Sequence, residues 1–370
     1  MRLWIRFTRV AILWFCLGEL AVGSSAAFGL VPRVETSEVD FQVRSRGVFE
    51  VTNSKGDIQV HGWALDKIRL KIKKQVLEED SKKAQKMMES LGYRYSEKSG
   101  GIELSSRYGG GFEIEKGAHE ALKRQVRIDL EIMAPSYLAL KLWATQGKVE
   151  VRNWNASVDL RMNSGSVILS EVKGSQLQIQ CARCSSSLKK IQASVRYSGG
   201  EGDFNLEEAS GKIYVETQAA HQKLSRVEGE QLYISTRGKI FGEQLEGKVE
   251  FSTEESSVEL FDLKGWVSGK SHSGNVMIRV RQWKPTEPAW IETNQGNIVM
   301  NFPEGLSVDA DIWSVNGVST LEFPVIRSGW SSKEGGEPVS HLLGRVGEGG
   351  ELLRIFSKAG HISILKRKVD

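Results

Sequence analysis

The chain has 370 residues, 40% of them apolar and 26% charged, so it can bury a core, and wholesale disorder is excluded. Its formal charge of +4 is too small to indicate binding to nucleic acid, and no nucleic-acid partner is predicted. Glycine is unusually frequent, with 38 residues against only 7 prolines. This excludes collagen, disfavours a long helical protein and indicates many turns.

Residues 1–27 have the features of a secretory signal peptide. Arg2, Arg6 and Arg9 form a basic segment, residues 10–22 are mostly apolar, and small residues follow. We expect cleavage after Ala27, which leaves an exported chain in the periplasm or at the cell surface. The alternative is an uncleaved anchor, but the apolar run is shorter than the ~20 residues of a membrane span. No transmembrane span is predicted in the mature chain.

Residues 28–146 are predicted to hold a first coil, further strands and a helical insert. Apolar residues recur at helical spacing in one stretch: Leu77, Ala84, Met87, Met88 and Leu91. Acids at 78–80 favour the first turn and Gly92 can cap the end, so we predict a helix over about residues 77–91. Its expected role is to cover apolar surface beside the first coils, and a partner-binding helix is the alternative. Two strands are predicted around Pro135.

Residues 147–295 contain an internal repeat. Small residues or cysteine recur at steps of 18 residues, with one step of 19, and each marks the start of a coil: Gly147, Gly165, Cys184, Gly202, Ala220, Gly238, Ser256 and Gly274. The places two and four residues on are usually apolar, with Ser186, Gln222 and Gly242 as exceptions. Glycine or alanine always stands nine residues on, and a second alternating pair follows. Each coil therefore holds two short strands joined by tight turns.

Such coils cannot bury their apolar faces alone, so they are expected to stack with equivalent strands side by side. The predicted fold class is all-β: a β-solenoid, or β-helix, with 18-residue coils of two short strands and one helical insert. An ordinary sandwich of hairpins is disfavoured because hairpins do not keep one register over seven steps. Residues 296–370 are predicted to form irregular coils at Gly296, Gly317 and Gly360, with residues 330–350 as the longest loop.

The quoted repeats resemble those of a bacterial family. The segments GDIQV and VRIDLEIMAPSYLALKLWATQGKVEV, together with the later NFPEGLSVDADIWSVNGVSTLEFP and GELLRIFSKAGHISILKR, look like the "putative adhesin" family of the DUF4097 group. The resemblance covers most of residues 44–368. It implies an exported β-solenoid and supplies no catalytic residues. The helix and the cysteine pair depart from the family's plainest pattern.

Histidines and cysteines offer little metal chemistry. Six histidines are scattered through the chain, and none makes a close pair with zinc-ligand spacing: His61, His119, His221, His272, His341 and His361. Cys181 and Cys184 stand three residues apart in the 19-residue coil, within reach of a local disulfide in an oxidising compartment. Neither a thioredoxin-like site nor a zinc site is expected there, and no cofactor is predicted.

Carboxylates are the candidate catalytic groups, because solenoids also host polysaccharide-modifying enzymes. The acids on the strands are three or more coils apart, too far for the ~5–9.5 Å of a glycosidase pair. Glu228 and Glu246 occupy the same turn position in adjacent coils and form the best candidate pair, ~5 Å apart. Lys264 is the next residue in that series, so a solvated charge ladder is the simpler interpretation.

Tryptophans provide possible binding platforms. Trp63 and Trp154 are predicted in the core, whereas Trp266 falls at an outward position. Four more lie in the irregular C-terminal part: Trp283, Trp290, Trp313 and Trp330. Exposed aromatic side chains suit glycans or proteins, but a hydrophobic end cap is the favoured interpretation.

The sequence favours a non-enzymatic exported protein of the cell envelope or surface, whose solenoid face engages a glycan or an envelope protein. One alternative is a polysaccharide-modifying enzyme that uses Glu228 and Glu246. Another is a structural element that assembles with copies of itself through uncovered end strands.

Overall fold

The computed structural model describes residues 32–43, 47–98, 101–108, 125–329, 333–334, 337–338 and 340–367. The predicted signal peptide and its cleavage site after Ala27 lie outside this range, as do His119 and Trp330. The described part is almost entirely β-structure with one helix, which confirms the all-β prediction. No helix within it is long and apolar enough to cross a membrane. The boundaries predicted at residues 27, 146 and 295 stay predictions.

The N-terminal part contains seven strands and the helix. They are β1 (Arg33–Gln42), β2 (Val48–Lys55), β3 (Ile58–Trp63), β4 (Lys67–Val76), α1 (Ser81–Ser90), β5 (Leu91–Lys98), β6 (Gly101–Tyr108) and β7 (Val126–Pro135). Strands β2 and β3 form the first coil: both pair in parallel with the coil that follows. The sheets extend outward from this coil through β6 and β5 on one side and through β7, β4 and β1 on the other.

Helix α1 is shorter than the predicted range of 77–91. Asp80 is its N-cap, and its carboxylate accepts hydrogen bonds from the backbone N–H groups of Lys82 and Lys83. The acids at 78–80 therefore precede the helix and do not occupy its first turn. The predicted cap at Gly92 is wrong. The helix ends at Ser90, and its C-cap residue Leu91 is extended because strand β5 begins there. The buried face of Ala84, Met87 and Met88 packs in the core.

The central part is a stack of coils in parallel register. Its strands are β8 (Ala139–Trp154), β9 (Val158–Glu201), β10 (Phe204–Ser273) and β11 (Val276–Trp283), and pairing continues through the corners of the coils. Val149 pairs with Val167, and Val258 pairs with Val276, each 18 residues on. This confirms the predicted stacking of 18-residue coils. The strand that starts each coil is called strand A here, and the second is called strand B.

The C-terminal part continues the stack with longer insertions. Its strands are β12 (Ala289–Gln295), β13 (Ile298–Phe302), β14 (Val308–Ser314), β15 (Ser319–Leu321), β16 (Val325–Gly329), β17 (Lys333–Glu334), β18 (Glu337–Pro338), β19 (Ser340–Val346), β20 (Leu352–Ala359) and β21 (Ile362–Lys366). The loop predicted over residues 330–350 is wrong in part, because β19 pairs antiparallel with β14 and β16. Leu342 and Val346 are buried there, which fixes that strand against the stack.

Two corners turn the chain in every coil, and they differ in chemistry. At the coil start, Gly165 has a φ of 131°, and a Cβ there would lie far inside contact distance of the Gly147 carbonyl oxygen. Only glycine fits that combination of backbone and space. The second corner holds the predicted glycine or alanine nine residues after the coil start, with a positive φ at Gly211, Gly229, Gly247 and Gly265. It begins three residues earlier at a left-handed residue that is not glycine. The φ is between 54° and 57° in seven coils, at Asn153, Glu171, Lys190, Glu208, Arg226, Gln244 and Asp262.

A column of buried hydroxyl groups supports the glycine corner. Seven of these side chains stand three residues before a coil start: Thr217, Ser235, Thr253, Ser271, Thr293, Ser314 and Ser357. Thr293 Oγ1 donates to the Gln295 carbonyl at 3.2 Å, and Ser314 Oγ donates to the Gly360 carbonyl at 2.7 Å. Hydroxyls of this column thus add hydrogen bonds to carbonyls at the corner, and the Gln295 carbonyl also accepts from the Gly274 N–H. Ser271 Oγ has no hydrogen-bond partner among the described residues, and Thr217 Oγ1 accepts one hydrogen bond from Gln222.

The predicted exceptions to the apolar pattern are also buried and bonded. Gln222 is fully buried, and its amide nitrogen donates to Thr217 Oγ1 at 2.9 Å and to the Ile234 carbonyl at 2.8 Å. Ser186 lies 3.1 Å from the Tyr197 hydroxyl. Polar residues therefore occupy core positions where partners are available.

Candidate functional site

The outer surface of the strand-B sheet, called the B face here, carries a groove among the described residues. Coil stacking places side chains from successive coils side by side: Trp143 pairs with Arg161, and Gln180, Ser198 and Glu216 follow in the next coils. The groove has a volume of about 630 Å³ and is called the Trp143 groove.

Trp143 forms one wall of this groove and is 44% exposed. Alternation places it outward, because Leu140 and Leu142 beside it on β8 point into the core. The Arg161 guanidinium lies 5.2 Å from the indole centroid and 3.7 Å from the Asp159 carboxylate. These contacts hold the ring on the sheet and leave part of the indole open to solvent.

Small residues create the depression beside the indole. Gly199 and Gly200 lie on the groove floor, where neighbouring coils carry Cys181 and Ala182. A Cβ at Gly200 would overlap the Ala182 carbonyl, so glycine is required by the close approach of the two coils. The groove is therefore a consequence of packing between coils.

Several polar side chains of the groove have no hydrogen-bond partner among the described residues, and they are called uncommitted here. Asn163, Gln180, Ser198 and Gln218 are exposed and line it, and their side chains make no hydrogen bond or ion pair with another described residue. Amide and hydroxyl groups both donate and accept hydrogen bonds. Together with an exposed indole, they suit a ligand that has hydroxyl groups and an apolar face.

A buried hydrogen-bond network around Asn53 holds strand β2 at the edge of the groove. Asn53 donates to the Ile128 carbonyl at 2.8 Å, and its side-chain oxygen accepts hydrogen bonds from Ser106 and Tyr108 at 2.7 Å each. Burial raises the pKa of Tyr108 to about 12, so the phenol stays protonated and keeps donating. Thr52 and Ser54, on either side of Asn53, are thereby placed at the groove.

Cys181 and Cys184 are disulfide-bonded in the structure, with their Cα atoms 5.8 Å apart. Both are buried, and Cys181 lies under the Trp143 groove. The bond joins the end of one strand B to the following coil start, in the coil that has 19 residues. Its formation in the protein stays a prediction.

Glu228 and Glu246 occupy the outer side of the other corner. Glu246 pairs with Lys264, as the charge-ladder interpretation expects, and the Glu228 side chain has no partner among the described residues. Neither glutamate lines the Trp143 groove or the charged groove described next. Their assignment as an acid pair stays a prediction.

A second groove on the B face, with a volume of about 650 Å³, is called the charged groove. Lys212 pairs with Glu230 at 2.8 Å, and Lys248 pairs with Glu250 at 2.9 Å and with Glu287 at 2.5 Å. The hydrogen bond from Lys212 lowers the pKa of Glu230. A general acid for glycoside hydrolysis needs the opposite shift.

Other sequence-predicted residues lie apart from these grooves. Glu150 is buried between Lys148 and Arg152, and although burial opposes ionisation, the hydrogen bond from Lys148 and the charge of Arg152 lower its pKa. His341 Nε2 lies 2.9 Å from Asp311 Oδ1, whose partner oxygen accepts from Arg354. Among the described residues, no cluster of three histidine, cysteine or acidic side chains is arranged to hold a metal ion.

The burial of the tryptophans differs in part from the prediction. Trp154 is fully buried, as predicted, but Trp63 is only partly buried. Trp266 is also buried, because the segment around Glu287 covers it. The indole N–H of Trp266 donates to the Glu287 carbonyl at 2.8 Å. Trp290 is 45% exposed and is not part of a closed cap. Trp143 was not among the predicted platforms, although the alternation around it indicates an outward position.

Comparisons with known proteins place few constraints on function. No family model matches the chain, and no curated protein matches it. A structure described as a "putative cell adhesion protein" from Clostridium sporogenes is 12% identical, covers 91% of this chain and 100% of its own, and has a TM-score of 0.22. A "putative adhesin" from Bacteroides fragilis is 12% identical, covers 72% and 97%, and has a TM-score of 0.29.

A third structure, described as a "putative lipid binding protein" from Parabacteroides distasonis, is 11% identical, covers 90% of this chain and 97% of its own, and has a TM-score of 0.29. These neighbours are bacterial proteins named for adhesion or binding. At such low identities and TM-scores, the similarity carries no argument about what this chain binds.

Proposed function

We propose that this protein is an exported, non-enzymatic binding protein of the bacterial envelope or surface, and that its Trp143 groove binds an uncharged glycan. The observation that carries the proposal is the convergence of an exposed indole with uncommitted amide and hydroxyl groups over a glycine floor. Membership of the family that the repeats resemble is part of the same proposal.

The chemistry of a sugar ring matches this groove. A pyranose presents an apolar C–H face, which stacks on an indole, and hydroxyl groups around its edge, which exchange hydrogen bonds with amides. Stacked strands present these groups on a rigid frame, so little conformational entropy is lost on binding. Arg161 beside the ring is already paired with Asp159, so the groove does not require an anionic ligand.

Binding is tested by titrating the chain without residues 1–27 with four neutral hexasaccharides: cellohexaose, chitohexaose, laminarihexaose and mannohexaose. We expect at least one to bind, and Trp143→Ala to weaken it by about tenfold or more while leaving the melting temperature unchanged. Trp143→Phe keeps an aromatic face and retains most of the affinity. Leu65→Ala is the control, because Leu65 is similarly exposed but does not line the groove. Failure of all four sugars to bind contradicts the proposal.

Export is tested separately by expressing the full chain in a bacterium and measuring the mass of the secreted or periplasmic product. The proposal expects a mature N-terminus at Phe28. Retention of the chain in the cytoplasm with residues 1–27 still attached contradicts it.

The enzyme alternative has less support. The described carboxyls with a shifted pKa are all shifted downward: Asp40, Glu78, Glu150, Glu207 and Glu230. They are therefore ionised at neutral pH and suited to ion pairs. Release of reducing sugar by the wild-type protein, abolished in a Glu228→Gln/Glu246→Gln variant, would favour the enzyme instead.

A further inference from the structure

Three exposed or half-exposed aromatic side chains stand at equal intervals along the B face. Trp143 is followed four coils later by Tyr214, and Tyr214 is followed four coils later by Trp290. At ~4.8 Å per coil, each interval is ~19 Å and the whole run is ~38 Å. The number of coils between the rings follows from coil register. Tyr214 and Trp290 share one column of side chains, whereas Trp143 lies in the neighbouring column, which reaches Glu216 in the coil of Tyr214. A polymer that contacts all three rings therefore shifts by one column between Trp143 and Tyr214.

Each ring has a cation beside it. Arg161 lies 5.2 Å from the Trp143 centroid, and Arg196 lies 4.7 Å from the Tyr214 centroid. Lys270 and Arg354 lie 5.2 and 5.6 Å from the Trp290 centroid. Each cation lies over its ring, so these contacts hold the ring orientations and place N–H donors next to the part of each ring that stays exposed, where they can meet the hydroxyl groups of a bound sugar.

The two grooves that hold the first two rings adjoin at Tyr214 and Glu216. Tyr214 lines the charged groove, and its hydroxyl donates to Glu216, which lines the Trp143 groove, at 2.9 Å. A chain that occupies the Trp143 groove can therefore continue past Tyr214 along the same face.

The ion pairs beside the rings favour an uncharged polymer, although Arg196 and Glu216 have no oppositely charged partner among the described residues. Lys212, Lys248, Lys270 and Arg354 each lie within 3.4 Å of a carboxylate. An acidic polymer would have to displace those carboxylates, and a basic one would have to displace the cations. Hydroxyl groups can bind beside the pairs without breaking them.

We infer that the B face binds an unbranched, uncharged polysaccharide that lies along the coil stack and contacts Trp143, Tyr214 and Trp290 together. A pyranose unit is about as long as one coil step, so the contacting segment has roughly eight sugars over the ~38 Å run. This inference rests on the proposed function, and it adds the polymer class, its direction and two further contact residues.

Chain length is the test. For whichever neutral sugar binds, the dissociation constants of its disaccharide, hexasaccharide and decasaccharide are measured with the purified protein. We expect the decasaccharide to bind about tenfold or more tightly than the hexasaccharide, because only the longer chain reaches Trp290. Trp290→Ala should remove this gain and leave hexasaccharide binding unchanged. Met277→Ala, at a similarly exposed apolar residue on a strand A, is the control.

The outcomes separate this inference from the proposed function. Hexasaccharide binding that depends on Trp143, with no gain from a longer chain and no effect of Trp290→Ala, overturns the extended site alone. Absence of binding by any of these sugars overturns both. If polygalacturonate binds more tightly than every neutral chain, the inference that the polymer is uncharged is overturned. If a protein partner competes for binding at Trp290 but not at Trp143, the inference that one polymer contacts both residues is overturned.

Discussion

The Trp143 groove and the charged groove lie on the same sheet face and are built from the same coil repeat, yet they differ in how their polar groups are used. In the Trp143 groove, Asn163, Gln180, Ser198 and Gln218 have no side-chain partner among the described residues. In the charged groove, the lysines and glutamates bind one another. Charge density is therefore a poor guide to a binding site here, because charged groups that already bind one another offer fewer free hydrogen bonds to a ligand than unpaired amides do.

The largest expected effect comes from breaking the frame that both grooves share. Gly165→Ala adds a Cβ against the Gly147 carbonyl at a φ of 131°, so we expect a loss of about 3 kcal/mol or more in the free energy of unfolding. Urea denaturation measures it. Gly92→Ala is the control, because nothing lies within 4 Å of its added Cβ and its stability should be unchanged or slightly higher. Equal stability of the two variants would contradict the stacking account.

The disulfide distinguishes the two grooves, because it lies under the Trp143 groove only. Replacing Cys181 and Cys184 with serine should lower the free energy of unfolding by about 2 kcal/mol, the loop-closure entropy of so short a crosslink. We also expect weaker sugar binding. Addition of a reductant to the wild-type protein should reproduce both effects. A variant as stable as the wild type under non-reducing conditions would show that the bond does not form.

Acid should affect the paired charges more than the uncommitted groups. The folded-state pKa values of Glu150 and Glu230 lie below their usual 4.5, so their stabilisation is complete above that pH and is lost as the pH falls through the lowered values. We expect melting temperature to fall below about pH 4.5, and Glu150→Gln to flatten part of that fall. Sugar binding should stay constant between about pH 5 and 8. A binding midpoint inside that window would contradict the comparison.

Much of the coil stack is predictable from residues that recur in each coil. The coil starts from Gly147 to Gly274 and the apolar pairs that follow them predict the parallel register, because only glycine or a very small residue fits where carbonyls of adjacent coils meet. The second corner was predicted from the glycine or alanine nine residues after each coil start. The left-handed residue three places earlier was not, since residues such as Glu171 and Arg226 are not glycine. Their side chains form ion pairs at the surface. The column of buried hydroxyl groups was not predicted, because the alternation pattern rested on apolar residues alone.

The candidate site was less predictable. Trp143 could have been predicted from the alternation of β8, but the groove that it lines is completed by Gly199 and Gly200, more than 50 residues later. The buried state of Trp266 depends on the segment around Glu287, which no local pattern indicates. Helix α1 was placed too long because Asp80 serves as a cap, and capping depends on side-chain geometry as well as residue type.

The most direct test of the central claim is the salt dependence of sugar binding. The dissociation constant of the tightest-binding neutral hexasaccharide is measured at about 0.05 M and about 0.5 M sodium chloride, between which the screening of charges changes strongly. Recognition by the indole and uncommitted amides of the Trp143 groove predicts values that agree within about twofold. A dissociation constant that rises by about tenfold with salt would show that the charged groups carry the binding, and would contradict the account.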